Sequence, residues 1–156
     1  MENWFECKIR FEKTLENGMV KKVTEPYLVD ALTFTEAERR ITEESSAYIS
    51  GEFEVSDIKK ARYSEIFFCD LDAADKFFKV KLLFITLDEK SGAEKKTATN
   101  VLVQAADLRD AVKKLDEGMK GSMADYVIAS VTETAIIDVY RYKKVEANDK
   151  PEYEQQ

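Results

Sequence analysis

Few residues of this chain have both the type and the spacing to do chemistry. Glu65 and Asp138 sit at matching places in two similar stretches. Two carboxylates brought together would split their pKa values into an acid and a base. No nucleophile or second base accompanies them, so the reading is of solvent-facing strand carboxylates. Asp70-Leu71-Asp72-Ala73-Ala74-Asp75 begins like a calcium loop. Such a loop needs glycine at position six and a bidentate glutamate at position twelve, and Asp75 and Lys81 stand there instead. A solvated linker is the better expectation. Cys7 falls in phase with apolar neighbours and reads as a small core residue, while Cys69 sits at a strand end with no base or cation assignable to it.

The chain has no histidine, which excludes a Ser-His-Asp triad, a Cys-His dyad, histidine-ligated zinc and an imidazole switch. Its 5 glycines make neither a dinucleotide fingerprint nor a phosphate loop. We expect no catalytic residue, no metal, no cofactor and no enzyme. An enzyme working by carboxylates alone, assisted by a hard metal, ranks last among the readings.

Binding is the remaining class. Lys21 and Lys22 open one strand, as Lys95 and Lys96 open its counterpart, and Lys59, Lys60 and Arg62 lie on a third segment. With Lys8, Arg10, Lys79 and Lys81 they are candidates for a basic sheet face, and Trp4, in phase with Lys8 and Arg10, for a base-stacking platform. The blander reading is that charged side chains blunt exposed sheet faces and edges against aggregation. A net charge of −7 supports it, because a whole-chain basic footprint is missing.

The elements that carry these residues are written twice. Trp4-Phe5-Glu6-Cys7-Lys8-Ile9-Arg10-Phe11 is echoed by Phe77-Phe78-Lys79-Val80-Lys81-Leu82-Leu83-Phe84, and Phe11 and Phe84 lie 73 residues apart. Gly18 and Gly92 lie 74 apart, so one residue enters at a hairpin, where it is tolerated; a slip inside a strand would invert its faces. Each copy reads as an alternating strand, a glycine turn, a second strand, a helix and a long final segment. Asn17-Gly18 and Lys90-Ser91-Gly92 are the turns. Pro26 predicts an edge or bulge in the second strand. Thr33 with Glu36, and Asp107 with Asp110, predict helix N-termini. The stripes Phe34, Ala37, Ile41, Tyr48, Ile49 and Leu108, Ala111, Val112, Leu115, Met119 predict the buried helix faces. Gly51 is expected to end the first helical region or the turn after it. The spacings Val55 to Ile58 and Ile128 to Val131 break alternation, which predicts a bulge at Ser56-Asp57 and Ala129-Ser130, or a break into two short strands.

The expected fold is therefore α+β: two tandem β-β-α-β repeats related by a pseudo-two-fold, with antiparallel strands in one sheet or two facing sheets, covered by two helices. The first repeat is 1–68, the linker 69–76, the second repeat 77–143 and a disordered tail 144–156, forming one compact domain overall. No apolar run reaches about 20 residues and no signal peptide is read, so the expectation is a cytoplasmic protein without a membrane span.

Trp4-Phe5-Glu6-Cys7-Lys8, Val23-Thr24-Glu25-Pro26-Tyr27-Leu28-Val29-Asp30-Ala31, Ile85-Thr86-Leu87-Asp88-Glu89-Lys90-Ser91-Gly92 and Met123-Ala124-Asp125-Tyr126-Val127-Ile128-Ala129-Ser130 resemble an uncharacterised family of short proteins from Bacteroides-type bacteria, a domain of unknown function. The resemblance spans about residues 3–142 and implies a bacterial protein; it brings no activity, ligand or site residue. The expected function is a non-catalytic binding or adaptor module that acts on a protein partner through a sheet face or edge. Single-stranded nucleic acid is the alternative partner, and pairing of sheet edges into a homodimer is a further one.

Overall fold

The computed structural model of the chain describes residues 3–141; the tail expected from 144 lies outside the described residues. The elements are β1 (Trp4–Thr14), β2 (Val20–Asp30), α1 (Phe34–Tyr48), β3 (Phe53–Ala61), β4 (Glu65–Phe67), β5 (Lys76–Leu87), β6 (Glu94–Ala105), α2 (Leu108–Gly118), β7 (Asp125–Glu133) and β8 (Asp138–Tyr140). The protein is α+β, with two sheets of four strands ordered β3-β1-β2-β8 and β4-β6-β5-β7. Of the described residues, those up to Lys60 and those from Asp138 onward form one compact unit, and Ala61–Ile137 form the other.

In the first unit β1 and β2 pair antiparallel from Trp4↔Asp30 to Thr14↔Val20. Alternation puts Phe5, Cys7 and Ile9 on one face, where they pack with Val29, Ala31 and with Ala37 and Ile41 of α1. The turn closes through the Gly18 N–H donating to the Leu15 carbonyl and the Leu15 N–H to Met19, with Gly18 at φ 82. That left-handed backbone is what glycine supplies. Pro26 lies inside β2, and the parallel ladder to β8 covers only Tyr27, Leu28 and Val29. On that side β2 is still an edge at Pro26, so its missing N–H costs no ladder bond there.

In the second unit β5 and β6 pair from Lys76↔Ala105 to Leu87↔Glu94, and β7 pairs antiparallel with the other side of β5. Phe78, Val80, Leu82, Val101 and Val103 form the core with Ala111 and Leu115 of α2. The hairpin hydrogen bond from the Asp88 N–H to the Ala93 carbonyl encloses one residue more than the Leu15–Met19 pair. The extra residue sits in the turn, as the spacing of the glycines requires.

Both helix starts follow the sequence. The Glu36 N–H donates to Thr33 Oγ1 at 3.1 Å and the Asp110 N–H to Asp107 Oδ1 at 2.8 Å, while Glu36 and Asp110 accept from the N–H of Leu32 and Ala106. The buried stripes are narrower than expected. In α1 they are Ala37, Ile41 and Ser45, with Phe34 54% and Tyr48 77% exposed. In α2 they are Ala111 and Leu115, with Leu108 51% exposed. A short helix on a sheet buries one line of residues spaced by four, and the apolar flanks stay at the rim. The helix stops at Tyr48, where the Ile49 N–H donates to the Ser45 carbonyl, and Gly51 lies in the bend after it, just before β3.

The long final segments are corrected. Each divides into a bulged strand and a separate three-residue strand. The break falls at residues 62–64 and 134–137, beyond the bulge. The short strands pair parallel: β4 with β6 through Glu65↔Val101, and β8 with β2 through Tyr27↔Asp138. The sheets are therefore mixed, and each antiparallel hairpin receives a short parallel strand on its second edge. Residues 61–68 thus belong to the second unit and the described residues from Asp138 to the first. The bulge itself is where alternation breaks: the β5–β7 register shifts between Lys81 and Leu82, leaving Ala129 unpaired. In β3, Glu54, Ser56 and Lys59 all reach β1 while Val55 and Ile58 pack in the core, so the faces exchange between Ser56 and Lys59.

Candidate binding face

Of the residues singled out for binding, Trp4, Lys8, Arg10 and Lys22 share one face of β1 and β2, and Lys59 reaches that face at Glu6. Trp4 is 2% exposed, so its indole cannot stack on a base. Arg10 is ion-paired to Glu54 at 3.2 Å and Lys59 to Glu6 at 3.2 Å. Lys21 pairs with Lys13 and Lys22 with Glu12, so neighbouring positions send the two lysines to opposite faces of the hairpin. Lys8 is half-buried, Lys60 is exposed at the end of β3, and Arg62 belongs to the second unit. Of the weighed carboxylates, Glu65 lies in β4 of the second unit and Asp138 in β8 of the first.

The Asp70–Asp75 stretch lies within the second unit and is exposed at every residue but Ala74. Its Ala74 is 3% exposed and the Ala74 N–H donates to the Leu71 carbonyl. The Gln104 side chain clamps it, accepting from the Cys69 N–H and donating to the Ala74 carbonyl, each at 3.0 Å. Among the described residues no group of three or more His, Cys, Asp or Glu is placed to hold a metal ion. Cys7 is fully buried, and burial, with Glu6 and Asp57 nearby, pushes its thiol up to about 12. Cys69 does have a cationic neighbour that the sequence did not disclose: Lys114. Its ammonium is held charged first by its 2.7 Å bond to Asp110 and also by the Cys69 sulfur.

One surface distinguishes the units. In an antiparallel register, residues directly opposite share a face. On the sheet face away from α2 lie Lys79, Lys81, Leu83, Ile85 and Leu87 of β5, opposite Leu102, Asn100, Ala98, Lys96 and Glu94 of β6. Thr132, Ser130, Val127 and Asp125 of β7 flank them. Phe77 and Leu102 bury one end of this face. Towards the hairpin it opens: Leu83 and Ile85 are half-buried, Val127 is 47% and Leu87 68% exposed. At the same 73-residue offset the first unit carries Arg10, Glu12, Thr14 and Glu54, polar throughout and crossed by its own ion pairs. Lys79 and Lys81 are exposed, and neither makes an ion pair among the described residues.

Sequence reading offered the lysines of this patch, Lys79, Lys81 and Lys96, but missed its apolar part, although a signal was present. Leu82-Leu83-Phe84-Ile85 is apolar in both phases, and such a run predicts a strand buried on two faces. Only the α2 side is covered to that degree.

Residues 3–142 match the family model described as Domain of unknown function (DUF4494). The chain belongs to that family. No curated protein and no solved structure matches it. Among the described residues no helix is long and apolar enough to cross a membrane.

Proposed function

We propose that this member of the family is a non-catalytic binding or adaptor module that acts on a protein partner through the sheet of its second unit. The observation that carries the reading is the open apolar end of that sheet, Leu83, Ile85, Leu87 and Val127, where the first unit has charge pairs. Contiguous exposed apolar surface rimmed by charge is characteristic of interaction sites. In this reading the chain is two copies of one β-β-α-β unit, related by a pseudo-two-fold, of which one has kept a polar face and the other has become the docking face. The matched caps, turns and strand breaks support the duplication. A cytoplasmic, Bacteroides-type bacterial setting accords with the wording of the sequence and with two cysteines left as free thiols. The test is affinity capture from the source bacterium with the wild-type chain and with Leu87→Ser/Val127→Ser. Leu87 is 68% and Val127 47% exposed and neither belongs to the buried core, so the variant is expected to fold, which its far-UV circular dichroism checks. Partners captured stoichiometrically by the wild type and lost by the variant support the reading; an unchanged set of partners refutes it.

A further inference from the structure

The docking face carries charge as well as apolar area, and its sign is opposite to that of the protein. Lys79 and Lys81 line the apolar patch on β5 and Lys96, opposite Ile85, lines it on β6; Glu94 and Asp125 are the acids in the same rows. All three lysines are exposed, and none has an ion-pair partner among the described residues. The first unit neutralises Arg10 and Lys59 with Glu54 and Glu6 on the corresponding face. In a chain of net charge −7, a face that leaves three lysines open beside leucine, isoleucine and valine is locally positive.

Resting on the docking-face reading above, we infer that the partner is a protein segment in which acidic and apolar side chains lie together, the acids meeting Lys79, Lys81 and Lys96 and the apolar side chains covering Leu83, Ile85, Leu87 and Val127. Charge complementarity selects this occupant. A nucleic-acid strand would need stacking surfaces, and the aromatic side chain on this face, Phe77, is buried. An anionic membrane is a continuous charged plane and meets the field of the whole acidic molecule. A peptide segment meets chiefly the charges within a Debye length of about 8 Å. Lys81 stands one position from Leu83 on the same face, so one strand or helix turn of a partner spans both kinds of contact.

The test uses the full chain and four probes: a labelled short peptide alternating valine and glutamate, its valine–lysine counterpart, phosphatidylserine-containing vesicles and an oligothymidylate. The glutamate peptide should bind, should weaken about tenfold in Lys79→Glu/Lys81→Glu, and should weaken with added salt. Arg10→Glu/Lys22→Glu, a charge reversal of the same size in the first unit, should leave it unchanged. The inference is overturned if no peptide binds, if the lysine peptide binds as well, if the Lys79/Lys81 variant keeps full affinity, or if vesicles or oligothymidylate are preferred. Two failures are separable. When both peptides bind and Leu87→Ser/Val127→Ser loses both, the face is a docking surface and the acidic partner is wrong. When glutamate-peptide binding survives Leu87→Ser/Val127→Ser, the face itself is wrong.

Discussion

Gly118, the last residue of α2, is expected to tolerate no side chain while Phe67 is in place. A Cβ at Gly118 would stand 2.7 Å from Cε1 and 2.8 Å from Cδ1 of the Phe67 ring, where ordinary contacts begin near 3.4 Å. Two effects oppose each other in Gly118→Ala. Alanine gains up to about 1 kcal/mol in helix propensity, less at a terminal position. Overpacking costs about 1–3 kcal/mol, because the ring must leave its place against the core. The ring belongs to β4, which has only three residues and is tied to β6 by the short ladder Glu65↔Val101 to Phe67↔Val103. Displacing it therefore loosens the strand as well. The net expectation is a destabilisation of about 1 kcal/mol, read as a lower urea midpoint at unchanged slope. Faster amide exchange should appear at 65–67 before the rest of the unit. Phe67→Leu alone costs about 1 kcal/mol by lost burial. In the Gly118→Ala background that cost should vanish, a coupling of at least 1 kcal/mol between neighbours. Additive single effects, or a stabilising Gly118→Ala, would refute the close approach.

Three further predictions concern single groups. Asp107→Ala removes the acceptor for the Asp110 N–H and should cost about 1 kcal/mol in thermal unfolding. Asp110, held below the usual carboxylate range first by the Ala106 N–H and then by Lys114, adds stability that is present above its ordinary pKa and lost as pH falls; Asp110→Asn should flatten the acid limb of a stability–pH curve. Tyr27 stacks on Tyr140 at 5.7 Å, and burial, then Glu25, pushes its phenol from 10.0 up to about 12. A raised phenol keeps its full contribution below pH 10 and loses it as pH rises to about 12, so wild-type stability should fall across that window by about 1 kcal/mol after allowance for partial exposure, and Tyr27→Phe should fall less.

Local signals were legible because they depend on near neighbours. Alternation located β1 and β5, glycines located the turns, and an Asx or Thr side chain three residues before a carboxylate located both helix starts. The destinations of β4 and β8 were not legible. Glu65-Ile66-Phe67 and Asp138-Val139-Tyr140 are three-residue pieces, too short for periodicity to speak, and parallel pairing to a distant hairpin leaves no local mark. Trp4 was misplaced for a related reason. Its phase with Lys8 and Arg10 is correct, but a strand face can be buried at one end and wet at the other, and phase alone does not say where the change falls. Of the candidate site, the lysines Lys79, Lys81 and Lys96 were legible as charges in strand phase, and its apolar part only as a loss of alternation at Leu82-Leu83-Phe84-Ile85. Cys69 and Lys114 lie 45 residues apart, and only the fold brings them together.

The lysines of the second unit admit another physical explanation, and its consequences differ. Charged residues beside an exposed apolar strand oppose aggregation. That protection depends on the presence of charge and hardly on its sign. Lys79→Glu/Lys81→Glu keeps two charges on the face and moves the protein further from neutrality, so solubility should hold or rise. Docking of an acidic segment depends on the sign itself and should be lost in the same variant. The two roles are therefore separated by one protein and two measurements, the concentration at which it precipitates and its affinity for the glutamate peptide. Unchanged solubility with lost affinity assigns the lysines to recognition. Unchanged solubility with unchanged affinity assigns them to protection of β5, and leaves the apolar side chains of the face to bind alone.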